Sequence, residues 1–246
     1  MNPKLFVLNT ILVLVFGIAV KAHAQSTPAV RIALVGDSTM CDYPEKRPDR
    51  GWGMFLEEAF KPGSVEVGNF AKPGRSTKTF IKEKRWKATL EWKPDFVFIQ
   101  FGHNDSHEPK FPESTNADTD YREFLRRYID DARSIGATPI LVTPMVRRTF
   151  HDDGTLDDNL KPYAEAMKAV AKETQTAVID LHSSSWKLVE AMGPGKAQKF
   201  ANKRGDPTHF NEKGARAMLE LVLEELPRVA PELAKHLASN PSARKP

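Results

Sequence analysis

Short apolar runs alternate with longer amphipathic stretches along this chain, and this alternation constrains the fold more than any other feature. Five runs rich in β-branched residues have the length of strands buried on both faces: Val30–Val35, Val65–Val67, Phe96–Phe101, Pro139–Val142 and Ala177–Leu181. Helical patterns lie between or after them: Gly53–Phe60, Thr79–Trp92, Tyr121–Ile135, Leu160–Thr174, Trp186–Met192 and Glu212–Leu226. Such an alternation predicts an α/β fold with one parallel sheet and right-handed crossovers.

The first 24 residues have the pattern of an export signal. Lys4 supplies a positive charge, residues 5–20 form an apolar segment, and Ala22-His23-Ala24 has the small-residue pattern of a cleavage site. The apolar segment is short for a membrane span, so an N-terminal anchor is the weaker alternative. We therefore expect an exported protein, periplasmic or extracellular, whose mature chain starts at Gln25.

Residues 25–246 are enough for a single domain with a sizeable core, and the end of the chain from about Ala238 is expected to be a flexible tail. Cys41 is the only cysteine, so an intramolecular disulfide is excluded. The absence of CxxC, HExxH and paired histidines at ligand spacing predicts no metal site. No heptad pattern indicates an obligate protein partner, so we expect a monomer that does not engage membranes once the signal is removed.

The net charge of the whole chain is +4, which is compatible with an ordinary solvated surface or with attraction to an acidic substrate. Because no basic tract is interleaved with aromatic residues, nucleic-acid binding is not indicated. Three polar loops follow the first, third and fourth predicted strands: Cys41–Arg50, Ser106–Asp120 and Arg147–Asn159. They leave the carboxyl edge of the predicted sheet, where open α/β folds bind ligands.

Four short blocks at this edge carry side chains or backbone groups suited to catalysis. They are Gly36-Asp37-Ser38-Thr39, Gly68 to Ser76, Gly102-His103-Asn104-Asp105 and Asp206-Pro207-Thr208-His209. Each block alone is as well explained by a turn or a helix cap. Together they bring a nucleophile, hydrogen-bond donors, a base and an acid to one edge of one sheet, which is the set that acyl transfer needs.

In this order the four blocks resemble those of the SGNH (GDSL-type) hydrolases, and the resemblance runs from Val30 to about Ala217. It implies a flavodoxin-like three-layer fold with a five-stranded parallel sheet and a serine esterase that uses no cofactor. It also implies these roles: Ser38 as nucleophile, His209 as base with Asp206 as its orienting partner, and Ser38, Gly74 and Asn104 as donors of the oxyanion hole. These residue types suit the roles, because a serine hydroxyl needs a neighbouring base and a histidine needs a fixed tautomer.

Longer matches narrow the substrate class. The segments Phe101-Gly102-His103-Asn104-Asp105, Gly51-Trp52-Gly53 and Thr208-His209-Phe210-Asn211 are similar to the rhamnogalacturonan acetylesterase branch of that family. This resemblance implies removal of acetyl groups from O-acetylated galacturonic acid in pectin, with acetylated xylan as the alternative polysaccharide. An acetyl group needs only a small acyl pocket, so we expect no long apolar channel beside Ser38.

Several side chains are candidates for contacting the sugar. Arg147 or Arg148, after the fourth strand, could pair with a galacturonate carboxylate, although a structural ion pair explains them equally well. Trp52 or Tyr43 could stack on a sugar ring, with core packing as the stronger alternative for Trp52. The remaining histidines of interest are expected to be structural: His103 and His182.

Two other functions compete with this prediction. A lipase or lysophospholipase of the same fold would prefer long acyl chains, but the long loops are polar and carry no apolar lid pattern. An inactive carbohydrate-binding protein of the same fold is a remote alternative, because the complete set of predicted catalytic residues is present.

Overall fold

A computed structural model describes residues 28–239 of the chain. Five strands form one parallel sheet in the order β2-β1-β3-β4-β5: β1 (Val30–Gly36), β2 (Val65–Asn69), β3 (Phe96–Gln100), β4 (Thr138–Val142) and β5 (Ala177–Ile179). All five lie where the apolar runs predicted them. The α/β fold with a five-stranded parallel sheet is therefore confirmed.

Within residues 28–239, seven α-helices connect or follow the strands: α1 (Thr77–Lys82), α2 (Arg85–Glu91), α3 (Asp120–Ser134), α4 (Lys161–Thr174), α5 (Leu181–Ala197), α6 (Glu212–Val229) and α7 (Pro231–Ala234). The prediction of one continuous helix over Thr79–Trp92 is wrong, because Lys84 takes a left-handed conformation and separates α1 from α2. The helix predicted over Gly53–Phe60 is instead two short 3₁₀ turns, Trp52–Phe55 and Glu57–Ala59.

Both faces of the sheet are covered, which explains why the strands are nearly continuous apolar runs. On β1, Ile32 and Leu34 belong to a core cluster shared with α6, whereas Ala33 and Val35 belong to a second cluster shared with α3 and α4. Successive side chains of a strand point to opposite faces, so the two clusters form the two interfaces of a three-layer fold.

The sheet order determines which loops meet. Because β1 lies between β2 and β3, the segments that follow these three strands leave the same carboxyl edge side by side. The segment that precedes α6 reaches this edge through an isolated antiparallel bridge, in which the backbone N–H of Arg50 donates to the carbonyl of Phe210 at 2.8 Å.

Two predictions concern the ends of the chain: the export signal and the flexible tail. The predicted export signal lies outside the described residues and stays a prediction. At the other end, the backbone N–H of Ala238 donates to the carbonyl of Ala59 at 2.9 Å, so the chain is held at the start of the predicted tail. Between residues 28 and 239, no helix combines the length and apolar composition needed to span a membrane.

Candidate active site

Ser38, His209 and Asp206 come together at the carboxyl end of β1, with the imidazole of His209 between the hydroxyl and the carboxylate. Ser38 Oγ lies 3.1 Å from His209 Nε2, and His209 Nδ1 lies 3.0 Å from Asp206 Oδ2. Both contacts are within hydrogen-bond distance, so the imidazole can accept the serine proton on one nitrogen while the carboxylate fixes the other. The geometry agrees with the predicted catalytic roles, which stay predictions until the residues are substituted.

The three-residue spacing between Asp206 and His209 has a local cause. Asp206 Oδ1 accepts hydrogen bonds from the backbone N–H groups of Thr208 and His209, both at 2.9 Å. This turn directs Oδ2 at the imidazole of its own loop. Burial would raise the pKa of Asp206, but the two backbone donors and His209 outweigh it and hold the pKa below its ordinary value. The carboxylate therefore stays ionised beside the imidazole.

A tight turn at the end of β1 presents Ser38. Asp37 Oδ1 accepts from the backbone N–H of Thr39 at 2.9 Å and from its hydroxyl at 2.8 Å, which closes the turn. Gly36 is required just before it, because a Cβ there would lie 2.7 Å from the backbone carbonyl oxygen of Gln100. Ser38 is held in one place, with its side chain directed at His209.

The three predicted oxyanion donors lie around the same pocket. Within residues 28–239, no protein group accepts the backbone N–H of Ser38 or of Gly74. Gly74 has a φ of +77°, and a Cβ there would meet nothing within 4 Å, so glycine is needed for its backbone conformation and not for space. Asn104 Nδ2 donates to the carbonyl of Arg75 at 3.0 Å, which fixes the amide and leaves its second N–H for a ligand.

The pocket at Ser38 has a volume of about 330 Å³. The described residues that line it are Ser38, Pro73, Gly74, His103, Asn104, His107, Arg147, Thr208 and His209. Of these, only Pro73 has a purely hydrocarbon side chain. The lining suits a short acyl group attached to a polar alcohol better than a long acyl chain.

The sequence model of the GDSL-like Lipase/Acylhydrolase family matches residues 34–217, which is well over half of the chain. The chain belongs to this family. Rhamnogalacturonan acetylesterase RhgT of Bacillus subtilis is 37% identical over 225 residues, which cover 85% of this chain and 95% of the relative. The predicted membership of the SGNH (GDSL-type) hydrolases is confirmed.

Solved structures of similar proteins agree with this assignment. Protein YxiM of Bacillus subtilis matches with a TM-score of 0.73 at 30% identity, over 81% of this chain and 56% of that one. Axe2, an acetylxylan esterase from Geobacillus stearothermophilus, matches with a TM-score of 0.62 at 19% identity, over 82% of this chain and 96% of that one. The second similarity shows a shared fold.

Arg148 has a different place in this GDSL-family site from the one predicted. Its side chain is buried, and Nη2 donates to the backbone carbonyls of His209 at 2.7 Å and Asp206 at 3.2 Å. The guanidinium also lies 4.3 Å from the ring centroid of Phe210. Because Arg148 lies beneath the loop that carries the base and does not line the pocket, we expect it to position His209 and not to bind substrate.

We expect Arg148→Met to lower kcat about tenfold to a hundredfold, because a misplacement of the base by about 1 Å has an effect of that size. Arg148→Lys should recover part of the loss, since an ammonium group can still donate to a carbonyl. The measurement is hydrolysis of 4-nitrophenyl acetate, an ester without a carboxylate. An effect seen only in KM for acidic substrates would return Arg148 to substrate binding.

The structure favours the packing alternative for Trp52 and places Tyr43 in the core as well. Trp52 is fully buried, and its indole N–H donates to Gln100 Oε1 at 2.8 Å. Gln100 Nε2 in turn donates to the hydroxyl of Thr39 at 2.6 Å. Tyr43 is buried as well, and its hydroxyl donates to the carbonyl of Ser38 at 3.0 Å. Both rings support the turn that carries the nucleophile, and neither is available to stack on a sugar.

Arg147 lines the pocket, as the sequence suggested for one of the two arginines. Its Nη1 donates to Asn159 Oδ1 at 2.8 Å, and its Nη2 donates to the carbonyl of His103 at 2.8 Å and to Ser106 Oγ at 3.3 Å. These bonds use three of the five N–H donors of a guanidinium. The other two have no acceptor within residues 28–239, so Arg147 is anchored and keeps two donors unused.

His103, His182 and Cys41 are all buried, and His103, which also lines the pocket, has no hydrogen-bond partner for its ring nitrogens among the described residues. His103 is buried, with Nδ1 3.5 Å from Asp37 Oδ2, and burial lowers its pKa. His182 Nε2 lies 2.8 Å from Asp158 Oδ1. Cys41 is fully buried, which raises the pKa of its thiol to about 12 and leaves it un-ionised at neutral pH.

Proposed function

We propose that this protein is a carbohydrate acetylesterase that removes acetyl groups from rhamnogalacturonan. The observation that carries the proposal is the Ser38–His209–Asp206 arrangement in a chain that is 37% identical, over 85% of its length, to a relative named rhamnogalacturonan acetylesterase. Acetylated xylan is the second candidate, because the site treats any acetylated sugar hydroxyl alike. Export from the cytoplasm is part of the proposal, since polymeric substrates remain outside the cell.

The reaction proceeds by acyl transfer in two steps. Ser38 Oγ attacks the acetyl carbonyl carbon while His209 Nε2 takes the hydroxyl proton. The tetrahedral intermediate collapses, the bond to the sugar oxygen breaks, and His209 returns the proton to that oxygen. In the second step water attacks the acetyl-serine, His209 again takes and returns a proton, and acetate leaves with Ser38 restored.

Electrostatic stabilisation comes from the donors around the oxyanion. The backbone N–H groups of Ser38 and Gly74 have no protein acceptor within residues 28–239, and Asn104 keeps one amide N–H free. Because these donors are fixed before substrate arrives, they need not reorganise as charge develops on the carbonyl oxygen. Asp206 stabilises the imidazolium that forms on His209 in the same step.

Arg147 favours an acidic sugar. It lines the pocket with two unused N–H donors, and a guanidinium binds a carboxylate through charge-assisted hydrogen bonds. Galacturonic acid carries such a carboxylate and xylose does not. The pocket lining also argues against a lipase, since a long acyl chain would have only Pro73 as a hydrocarbon side chain to pack against.

Acetate release from acetylated rhamnogalacturonan and from acetylated xylan tests the proposal. We expect higher kcat/KM on rhamnogalacturonan. Arg147→Met should raise KM for rhamnogalacturonan about tenfold, because a hydrogen bond between charged groups contributes about 1.5 to 3 kcal/mol, and it should change KM for xylan much less.

Three results would contradict parts of this proposal. A preference for xylan that Arg147→Met leaves unchanged would keep the mechanism and replace the polysaccharide. Higher kcat/KM on 4-nitrophenyl decanoate than on 4-nitrophenyl acetate would favour a lipase. If the protein released no acetate from either polymer, a polysaccharide substrate would be excluded.

A further inference from the structure

A second groove lies at the same edge of the sheet as the catalytic pocket, where α4 and α5 begin. Its volume is about 500 Å³. The residues that line it are Asp158, Lys161, Glu165, His182, Ser183, Trp186 and Lys187. The catalytic mechanism uses none of them.

The floor of this groove contains an aromatic ring that is only partly covered. Trp186 is half-buried and packs against a small apolar cluster that contains Val146, Leu156 and Val189. Within the described chain no group accepts a hydrogen bond from its indole N–H. A ring that is anchored on one side and open on the other offers a sugar an apolar face, and its N–H offers a donor for a hydroxyl.

Two of the four charged side chains that line the groove are lysines without an ion-pair partner among the described residues. Lys161 and Lys187 are exposed, and neither side chain has an ion-pair partner within residues 28–239. The acidic residues of the groove are already engaged: Asp158 Oδ1 lies 2.8 Å from His182 Nε2, and Glu165 Oε1 lies 2.7 Å from Lys168 Nζ. Two unpaired ammonium groups therefore line the same groove as the partly exposed ring.

One hydrogen bond connects the catalytic pocket to the segment that carries the groove. Arg147 lines the pocket, and its Nη1 donates to Asn159 Oδ1 at 2.8 Å. The preceding residue, Asp158, lines the groove. Both sites therefore lie at the carboxyl edge of the sheet, along which an extended polymer can run.

We propose that this groove is a distal subsite for a uronate residue of the polysaccharide whose acetylated sugar lies at Ser38. The inference rests on the proposed function, since it requires a polymeric acidic substrate. Trp186 stacks on the sugar ring, and Lys161 and Lys187 attract its carboxylate. A small acetyl ester that fills only the catalytic pocket does not reach the groove.

The test compares two double variants that change the charge equally on the same two helices. Lys161→Glu/Lys187→Glu reverses the charges at the groove. Lys172→Glu/Lys196→Glu reverses exposed lysines in the last turns of α4 and α5, and Lys172 is about 16 Å from Lys161 along the helix axis. For each protein, kcat/KM is measured on acetylated rhamnogalacturonan and on 4-nitrophenyl acetate.

We expect the ratio of polymer to small-ester kcat/KM to fall about tenfold in Lys161→Glu/Lys187→Glu, since the variant replaces two attractive charges with two repulsive ones. The fall should be smaller in 0.5 M salt, and Trp186→Ala should lower the same ratio. An unchanged ratio in both groove variants, or an equal fall in the control double variant, would overturn the subsite while the unmodified protein still released acetate. No release of acetate by the unmodified protein would overturn the proposed function, and the subsite with it.

Discussion

Ser38→Ala should lower kcat for acetyl ester hydrolysis by at least about 10⁴-fold, because removing one member of such a triad abolishes nucleophilic catalysis and leaves only the oxyanion hole and substrate binding. The expectation rests on the 3.1 Å contact between Ser38 Oγ and His209 Nε2. Cys41 cannot substitute as nucleophile, since it is buried and its thiol pKa is raised to about 12. The measurement is the initial rate with 4-nitrophenyl acetate.

The non-additivity of the triad provides a sharper form of this test. Ser38→Ala/His209→Ala should be no slower than Ser38→Ala alone, because a base without its nucleophile has nothing to activate. Ser134→Ala, an exposed serine of α3, controls for the substitution itself, and circular dichroism checks the fold. If Ser38→Ala retained more than about one hundredth of kcat, the nucleophile would have to be another residue.

Asn104→Ala should lower kcat about 10²-fold to 10³-fold with little change in KM, which is the effect of deleting one oxyanion donor. The amide has one N–H bound to the carbonyl of Arg75 at 3.0 Å and the other free at the pocket. The free donor strengthens its bond as the carbonyl oxygen gains charge, so its loss affects the transition state more than the ground state.

The effects on kcat and KM distinguish oxyanion stabilisation by Asn104 from a structural role. Asn116→Ala, in the loop that follows the same block, is a matched control whose side chain accepts only from the backbone N–H of Asp118. A rise in KM with kcat unchanged would show that Asn104 binds substrate and does not stabilise the oxyanion. A lowered unfolding temperature, together with a fall in kcat and a rise in KM, would show that Asn104 mainly holds the loop at Arg75.

The prediction of the fold was accurate for elements that a local sequence pattern identifies. The five strands were predicted because a strand buried on both faces must be apolar at nearly every position, a pattern that a single sequence displays. The helices were less accurate where a backbone conformation interrupts the pattern. Nothing in the apolar spacing of Thr79–Trp92 indicates that Lys84 adopts a φ of +60° and ends one helix before the next begins.

The four candidate catalytic blocks, their order along the chain and the sheet edge at which they meet could all be predicted from the sequence, because each block follows a strand or precedes a helix. The contacts of the neighbouring side chains could not be predicted in this way. Arg148 bonds to the carbonyl of a residue 61 positions away, and Trp52 to a side chain 48 positions away. The sequence cannot distinguish an arginine that lies beneath a loop from one that faces a pocket, because burial and hydrogen-bond partners depend on contacts between distant segments. For the same reason the groove at Trp186 becomes visible only when α4 and α5 lie side by side.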